Sequence, residues 1–77
     1  MEATIQLMLD WFQEQGFQLT YQSTAVFLLA HPELPGVEVR IGTVYGVVER
    51  DGHEIYRAQH GDFDPAIAHD RMFGPRS

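Results

Sequence analysis

The chain has 77 residues, enough for one small core but not for a second domain. It contains no cysteine, which excludes disulfide bonds and thiolate zinc sites. Eleven Asp and Glu residues face five Arg residues and no Lys, and the formal net charge of −6 argues against direct binding to nucleic acid.

The first predicted element is a helix over residues 4–15. Its apolar residues recur with the spacing of a helix that buries one stripe: Ile5, Met8, Leu9 and Phe12. Gly16 can adopt the left-handed conformation that ends a helix. Leu7 and Trp11 fall away from the stripe, on the side shared with Glu14, so they either widen the core face or protrude from it.

Three strands are predicted next. Residues 17–22 alternate between apolar and polar side chains, a pattern typical of a half-buried strand. Residues 25–30 form a continuous apolar run and are predicted as a central strand with both faces covered. Pro32 and Pro35 break the chain before residues 37–41, where the alternation returns and predicts a third strand.

The pair Asp51-Gly52 favours a two-residue hairpin turn. A tight turn at this position predicts three cross-strand pairs: Val48 with Ile55, Val47 with Tyr56, and Glu49 with Glu54. The last pair brings like charges together and is mildly unfavourable.

A short second helix is predicted at the end of the chain, because Asp64 suits the N-cap, Pro65 the first helical position and Gly74 the end. The predicted order is α-β-β-β-β-α. Since the connections are short, we expect an α+β fold in which an antiparallel meander sheet carries both helices on one face. Residues 1–74 are predicted to form this single domain, and residues 75–77 a C-terminal tail.

No apolar run approaches the roughly 20 residues that cross a bilayer, and the N-terminus lacks the basic segment and apolar core of a signal peptide. We therefore expect a cytoplasmic location with no membrane partner. No sequence pattern indicates a cofactor.

Five residues near the C-terminus raise the question of a metal site: His60, Asp62, Asp64, His69 and Asp70. Histidine and carboxylates in this spacing could ligate a metal ion. Asp64 is needed as a helix cap, however, and the others suit a solvated loop. The expectation is no metal site.

Catalytic residues are not expected either. The chain has no cysteine nucleophile and no glycine-flanked serine elbow to which a histidine could be coupled. His53 and His60 bracket a predicted strand, where exposed edge positions are the ordinary explanation. The sequence thus predicts a protein that is not an enzyme.

Arginine and tyrosine side chains could gather on the sheet and stack on bases, the candidates being Arg40, Arg50, Arg57, Tyr45 and Tyr56. Glutamates are interleaved with them along the same strands. We therefore expect cross-strand charge pairing on a solvated sheet face.

Two motifs resemble the HicA toxin family: Gly16-Phe17-Gln18-Leu19 behind an amphipathic helix, and His31-Pro32-Glu33-Leu34-Pro35-Gly36 before a valine-rich strand. The resemblance covers about half of the chain. It implies a double-stranded-RNA-binding-like α-β-β-β-α fold, in a family that cleaves messenger RNA with a histidine. Where that family has glycine-serine-histidine entering the second strand, this chain has Ser23-Thr24-Ala25. The resemblance therefore supports the fold and argues against the activity, and the hairpin at Asp51-Gly52 is an addition to the family pattern.

The function expected from these observations is a non-enzymatic protein-binding module, an inhibitor or adaptor of phage or mobile-element type. Its acidic surface could occupy the basic channel of a nucleic-acid-binding protein, as nucleic-acid mimics and some anti-CRISPR proteins do. The predicted contact residues are two apolar side chains and six carboxylates: Leu7, Trp11, Glu38, Glu49, Asp51, Glu54, Asp62 and Asp64. Two alternatives stay open: a degenerate HicA-like RNA-binding domain, and a structural homodimer that pairs an exposed strand edge or buries Trp11 twice.

Overall fold

The computed structural model describes residues 3–74, so the predicted tail at residues 75–77 lies outside the described residues. Its elements in chain order are α1 (Ala3–Glu14), β1 (Gln18–Gln22), β2 (Phe27–Ala30), β3 (Val37–Ile41), β4 (Tyr45–Arg50), β5 (His53–Gln59), a 3₁₀ turn (His60–Asp62) and α2 (Pro65–Phe73). The strands lie in sequence order in one sheet, and every neighbouring pair is antiparallel. The predicted α+β meander between two helices is confirmed. The sheet has five strands instead of the predicted four, because each arm of the Asp51-Gly52 hairpin forms a strand of its own.

The core lies on one face of the sheet, which we call the core face. Leu29, Val39 and Val48 are cross-strand neighbours on β2, β3 and β4, and all three are almost fully buried. Both helices contribute to the same cluster through Met8, Leu9, Phe12, Ala68 and Met72. Burying these apolar side chains together is the main stabilising contribution in a domain of this size.

Local signals account for the ends of both helices. Gly16, with φ +101°, follows α1, and its N–H donates to the carbonyl of Gln13 at 3.0 Å. Asp64 caps α2 as predicted, since its carboxylate accepts from the backbone N–H groups of Ala66 at 3.0 Å and Ile67 at 3.4 Å. Neither helix among residues 3–74 has the length and apolar character needed to span a membrane.

The first two strands differ from their predictions. The side chains of β1 are all exposed, because β1 is an edge strand and only Phe17, just before it, reaches the core. β2 begins at Phe27, since Ser23 Oγ accepts from the N–H groups of Ala25 and Val26 and holds those residues in a turn. Burial along β2 alternates, and the prediction of two covered faces was wrong.

The hairpin has the predicted turn but only part of the predicted register. Glu49 pairs with Glu54 as predicted. Beyond that pair a bulge at Ile55 shifts the strands, so the other two predicted pairs were wrong: Val48 pairs with Tyr56, and Val47 with Arg57. The bulge places Tyr56 on the core face, where its ring meets that of Phe63 at 6.1 Å.

Candidate protein-binding groove

A groove of about 420 Å³ runs between α1 and the 3₁₀ turn. Its lining is mainly apolar: Leu7, Met8, Trp11, His60, Gly61, Phe63 and Pro65. Grooves of this size, lined by aromatic and aliphatic side chains with few polar groups, are typical of ligand and peptide sites.

The structure separates the two residues that the sequence placed beside the core stripe of α1. Trp11 is half-buried and its ring packs edge-on against Phe12, at 5.0 Å between centroids, and Phe63, at 5.4 Å. Leu7, one turn earlier, keeps 67% of its surface exposed. Trp11 therefore widens the core and forms a fixed wall of the groove, whereas Leu7 protrudes at its edge.

The opposite wall is formed by Phe63 and Pro65, on the segment that leads into α2. Phe63 also contacts the ring of Phe12 at 5.6 Å, so it connects this wall to the core. The following N–H, of Asp64, donates to the hydroxyl of Tyr56 at 2.9 Å. These contacts hold the segment against β5 and pre-form the groove.

His60 is the polar residue of the groove that the sequence did not predict. It is 9% exposed, so its predicted position on an exposed strand edge was wrong. β5 ends at Gln59, and the 3₁₀ turn that begins at His60 packs against α1. The His60 N–H donates to the carbonyl of Val44 at 3.2 Å, but Nε2 is buried without a hydrogen-bond partner among residues 3–74. A buried polar atom left unpaired typically costs about 1–3 kcal/mol.

Two exposed carboxylates lie beside the groove on α1, because Asp10 and Glu14 follow the lining residues Leu7 and Trp11 by three positions. The carboxylates of Asp62 and Asp64, also exposed, line a separate pocket with Arg57. The hydrogen bond that Asp10 receives comes from a neutral group, the Gln6 amide, at 2.8 Å. In the part of the chain that the structure describes, no arginine forms an ion pair with any of these four carboxylates. The groove therefore lies in a region of negative potential.

The sheet face opposite the helices, which we call the open face, carries paired charges. Arg40 Nη2 lies 3.2 Å from Glu49 Oε1 across β3 and β4, which confirms the predicted cross-strand pairing. Arg57 Nε donates to Glu54 Oε1 at 2.8 Å, and this hydrogen bond raises the pKa of Arg57 above its ordinary value. Two glutamates predicted as partner contacts are thus matched by arginines of the same chain.

The arginines and tyrosines do not gather into one base-stacking patch. Arg57 lies over the ring of Tyr45, 4.6 Å from its centroid, on the open face. Arg50 and Tyr56 belong to the core face, opposite Val37 and Val48. There Arg50 Nη2 donates to the carbonyl of Met72 at 2.6 Å, which places a cation at the C-terminal end of α2.

The eight predicted contact residues occupy four places. Leu7 and Trp11 line the groove, whereas Asp62 and Asp64 line a separate pocket with Arg57. Three others lie on the open face: Glu38, Glu49 and Glu54. Asp51 lies in the hairpin turn with φ 54°, and its N–H donates to Gly36 at 2.8 Å.

The residues considered for a metal site are dispersed. His60 is buried in the groove, Asp64 caps α2, and His69 packs against the ring of Phe73 at 4.7 Å. Among residues 3–74, no three histidine or carboxylate side chains are placed to hold one metal ion.

A second histidine, His31, belongs to a motif that resembles the HicA family, and its contacts are structural. Its Nε2 lies 2.8 Å from the carbonyl of Gln15, and its Nδ1 accepts from the N–H of Glu33 at 3.0 Å. The ring packs edge-on against Phe17 and Phe73. His31 therefore joins the end of α1 to the end of β2 and to α2.

Comparison with protein-family models, curated proteins and solved structures gives no significant match. The resemblance to the HicA family, with the RNA-binding alternative that follows from it, stays a prediction from the sequence pattern.

Proposed function

We propose that this protein is a non-enzymatic protein-binding module, and that its groove between α1 and the 3₁₀ turn binds a basic segment of a partner protein. The observation that carries the proposal is an apolar groove with two exposed carboxylates beside it on α1, Asp10 and Glu14, which form no ion pair among the described residues. The proposal places the main contact at the groove, because two of the three glutamates of the open face, Glu49 and Glu54, are already matched by arginines.

The apolar part of the groove supplies the anchor site. Trp11 is held edge-on between Phe12 and Phe63, so little side-chain entropy is lost when a ligand packs on it. Leu7 adds a largely exposed aliphatic side chain at the edge. Fixed aromatic residues that exclude water are the usual centres of binding energy in protein interfaces.

The charges supply selectivity. A chain with net charge −6 repels acidic partners and attracts basic ones, and the carboxylates of Asp10 and Glu14 lie beside the apolar lining on α1. A matching segment has an apolar side chain between Lys or Arg residues. Nucleic-acid-binding proteins present such basic surfaces, so occupying one would make this protein an inhibitor or adaptor, the type expected from the sequence.

Selection from a displayed library of random peptides tests the proposal. We expect the selected peptides to share basic residues around an apolar or aromatic anchor, and to bind less tightly as salt rises. The variant Leu7→Ala should weaken them by about 1 kcal/mol or more, whereas Leu19→Ala, which removes an exposed leucine from β1, should leave them unchanged. Peptides without basic residues, or equal losses in the two variants, would contradict the proposal.

A second candidate function is self-association through β1, the structural homodimer considered from the sequence. All five side chains of β1 are exposed, and the strand contains neither charged residues nor proline, which commonly protect sheet edges. An uncharged edge is where two copies of an acidic chain could meet with least repulsion. Sedimentation at several concentrations tests this candidate: a dimer abolished by Leu19→Lys supports it, and a monomer throughout contradicts it.

A further inference from the structure

The groove side of α1 carries two parallel rows of side chains, one apolar and one acidic. Leu7 and Trp11, which line the groove, are four positions apart, and so are the exposed Asp10 and Glu14. Side chains four positions apart lie one above the other on a helix, so each pair forms a row along the axis of α1. At 3.6 residues per turn, the two rows are only about 60° apart around the helix. They therefore face a ligand side by side.

Resting on the protein-binding function proposed above, we propose that the groove binds an amphipathic helix of the partner, which lies along α1 and carries an apolar row beside a row of Lys or Arg residues. A helix presents neighbouring rows of this kind on one side. Successive side chains of an extended segment point to opposite sides, and those of one side follow each other in single file. An extended segment with its apolar residues in the groove therefore meets only one of the two rows.

The two rows are largely fixed before a ligand arrives. The Trp11 ring packs edge-on against Phe12 and Phe63, at 5.0 and 5.4 Å between centroids. Asp10 Oδ1 accepts from the Gln6 amide at 2.8 Å, and a carboxylate has room for further donors. No ion pair involves either carboxylate of the acidic row among residues 3–74. A basic helix can therefore pair with these carboxylates without first breaking an ion pair.

The helix that fits these rows comes from a different protein. Helix α1 contains no basic residue, so in a second copy of this chain it would only repel the acidic row. Helix α2 contains His69 and Arg71, which are two positions apart and so do not form one helical row. Arg71 Nη1 also donates to the carbonyl of Ile55 at 3.1 Å. Neither described helix supplies the basic row that the proposal requires.

Three peptides without tryptophan test the inference, because the fluorescence of Trp11, the one tryptophan of the chain, then reports on the groove. The first is an alanine-based helix of about 18 residues in which lysine rows flank a leucine row. In the second, proline replaces a central alanine on the outward side, which interrupts the helix but keeps every leucine and lysine. The third has the composition of the first, permuted so that leucine and lysine alternate as on a strand.

We expect the helical peptide to bind about tenfold or more tightly than each of the others, because only it presents both rows together. If the proline peptide or the alternating peptide binds as tightly as the helical one, the helical partner is overturned while the groove function stands. If none of the three changes the Trp11 fluorescence at millimolar concentration, the proposed groove function itself is overturned.

A second readout observes the conformation of the bound peptide directly. In the saturated complex with the wild-type chain, the ¹³Cα resonances of the labelled helical peptide should have helical values over the leucine row. Backbone amide shifts of the protein should be largest along residues 7–14 of α1. Extended or random-coil values in the bound peptide would overturn the helical partner, and protein shifts confined to the sheet would overturn binding at the groove.

Discussion

Two alanine substitutions on α1, Phe12→Ala and Leu7→Ala, test whether the residue facing the core stabilises the fold and the residue at the groove edge does not. Phe12 is 1% exposed and its ring contacts Trp11, Phe17 and Phe63 at 5.0, 5.5 and 5.6 Å between centroids. Leu7, five positions earlier, is 67% exposed. Binding experiments on Leu7 variants can be interpreted only if the substitution leaves the fold intact.

The expected losses in free energy of unfolding differ nearly tenfold between the two variants. Removing a buried phenylalanine ring costs about 3–5 kcal/mol, and the three aromatic contacts of Phe12 favour the upper part of that range. A chain of 77 residues is expected to have a free energy of unfolding of about 4–12 kcal/mol, so Phe12→Ala should remove a large share of it. Leu7→Ala should change it by no more than about 0.5 kcal/mol, because the side chain is already in water and both residues favour helix.

Urea unfolding followed by circular dichroism and by Trp11 fluorescence gives both values. If the two probes coincide and the denaturant slope is unchanged, the shift in midpoint reports stability directly. In thermal scans, Phe12→Ala should lower Tm by about 12–40 °C, since each kcal/mol corresponds to about 4–8 °C in a domain of this size. Where Phe12→Ala does not fold, Phe12→Leu supplies a milder cavity in the same place. A loss above about 2 kcal/mol for Leu7→Ala, or below about 1 kcal/mol for Phe12→Ala, would refute the assignment of the two faces.

Three further substitutions test other parts of the fold by the same unfolding assay. Asp64→Ala should cost about 1 kcal/mol because it removes the N-cap of α2, whereas Asp64→Asn, which can still accept hydrogen bonds, should cost much less; equal losses would exclude capping as the cause. Gly36→Ala should cost about 1–3 kcal/mol, because φ is +85° at this position, and an unchanged midpoint would contradict that backbone geometry. Glu49→Gln should cost less than about 1 kcal/mol at low salt and nothing in high salt, since its ion pair with Arg40 is at the surface, and a larger, salt-independent loss would show a different role.

Features that depend on neighbours in the sequence could be predicted. The apolar stripe of α1 and the Asp64-Pro65 start of α2 are local patterns, and both are present in the structure. The meander order followed from short connections, and the Asp51-Gly52 turn from its residue types. Each of these predictions rests on geometry that a few consecutive residues determine among themselves.

The features that were missed depend on contacts between distant residues. The bulge at Ile55 could not be predicted, because the contacts that accompany it are remote in sequence. It brings Tyr56 to the core face, where Tyr56 meets Phe63 and the backbone of Asp64. His60 looked like an exposed strand end, and only the packing of its turn against α1 buries it. A histidine placed directly before Gly61, at the end of a strand, was the available signal, but it does not show which element will cover it.

Only part of the candidate site could be predicted, because the rest depends on contacts between residues that are distant in sequence. Helical periodicity identified Leu7 and Trp11 as a pair beside the stripe, but it could not decide which of them would pack inward. That choice depends on Phe63, which is remote in sequence and lies 5.4 Å from the Trp11 ring. The separation of Asp62 and Asp64 from these residues, in a pocket shared with Arg57, likewise appears only in the folded chain.

One comparison of charge variants tests the central claim most directly. The double variant Asp10→Asn, Glu14→Gln removes two carboxylates beside the groove, and Glu38→Gln, Asp51→Asn removes two from the sheet and its hairpin turn. Each changes the formal net charge from −6 to −4, so long-range attraction falls equally in both. Titrating both variants with a basic peptide selected from the displayed library should show weaker binding and a smaller salt dependence for the groove variant than for the sheet variant. Equal affinities, or a greater loss in the sheet variant, would contradict binding at the groove.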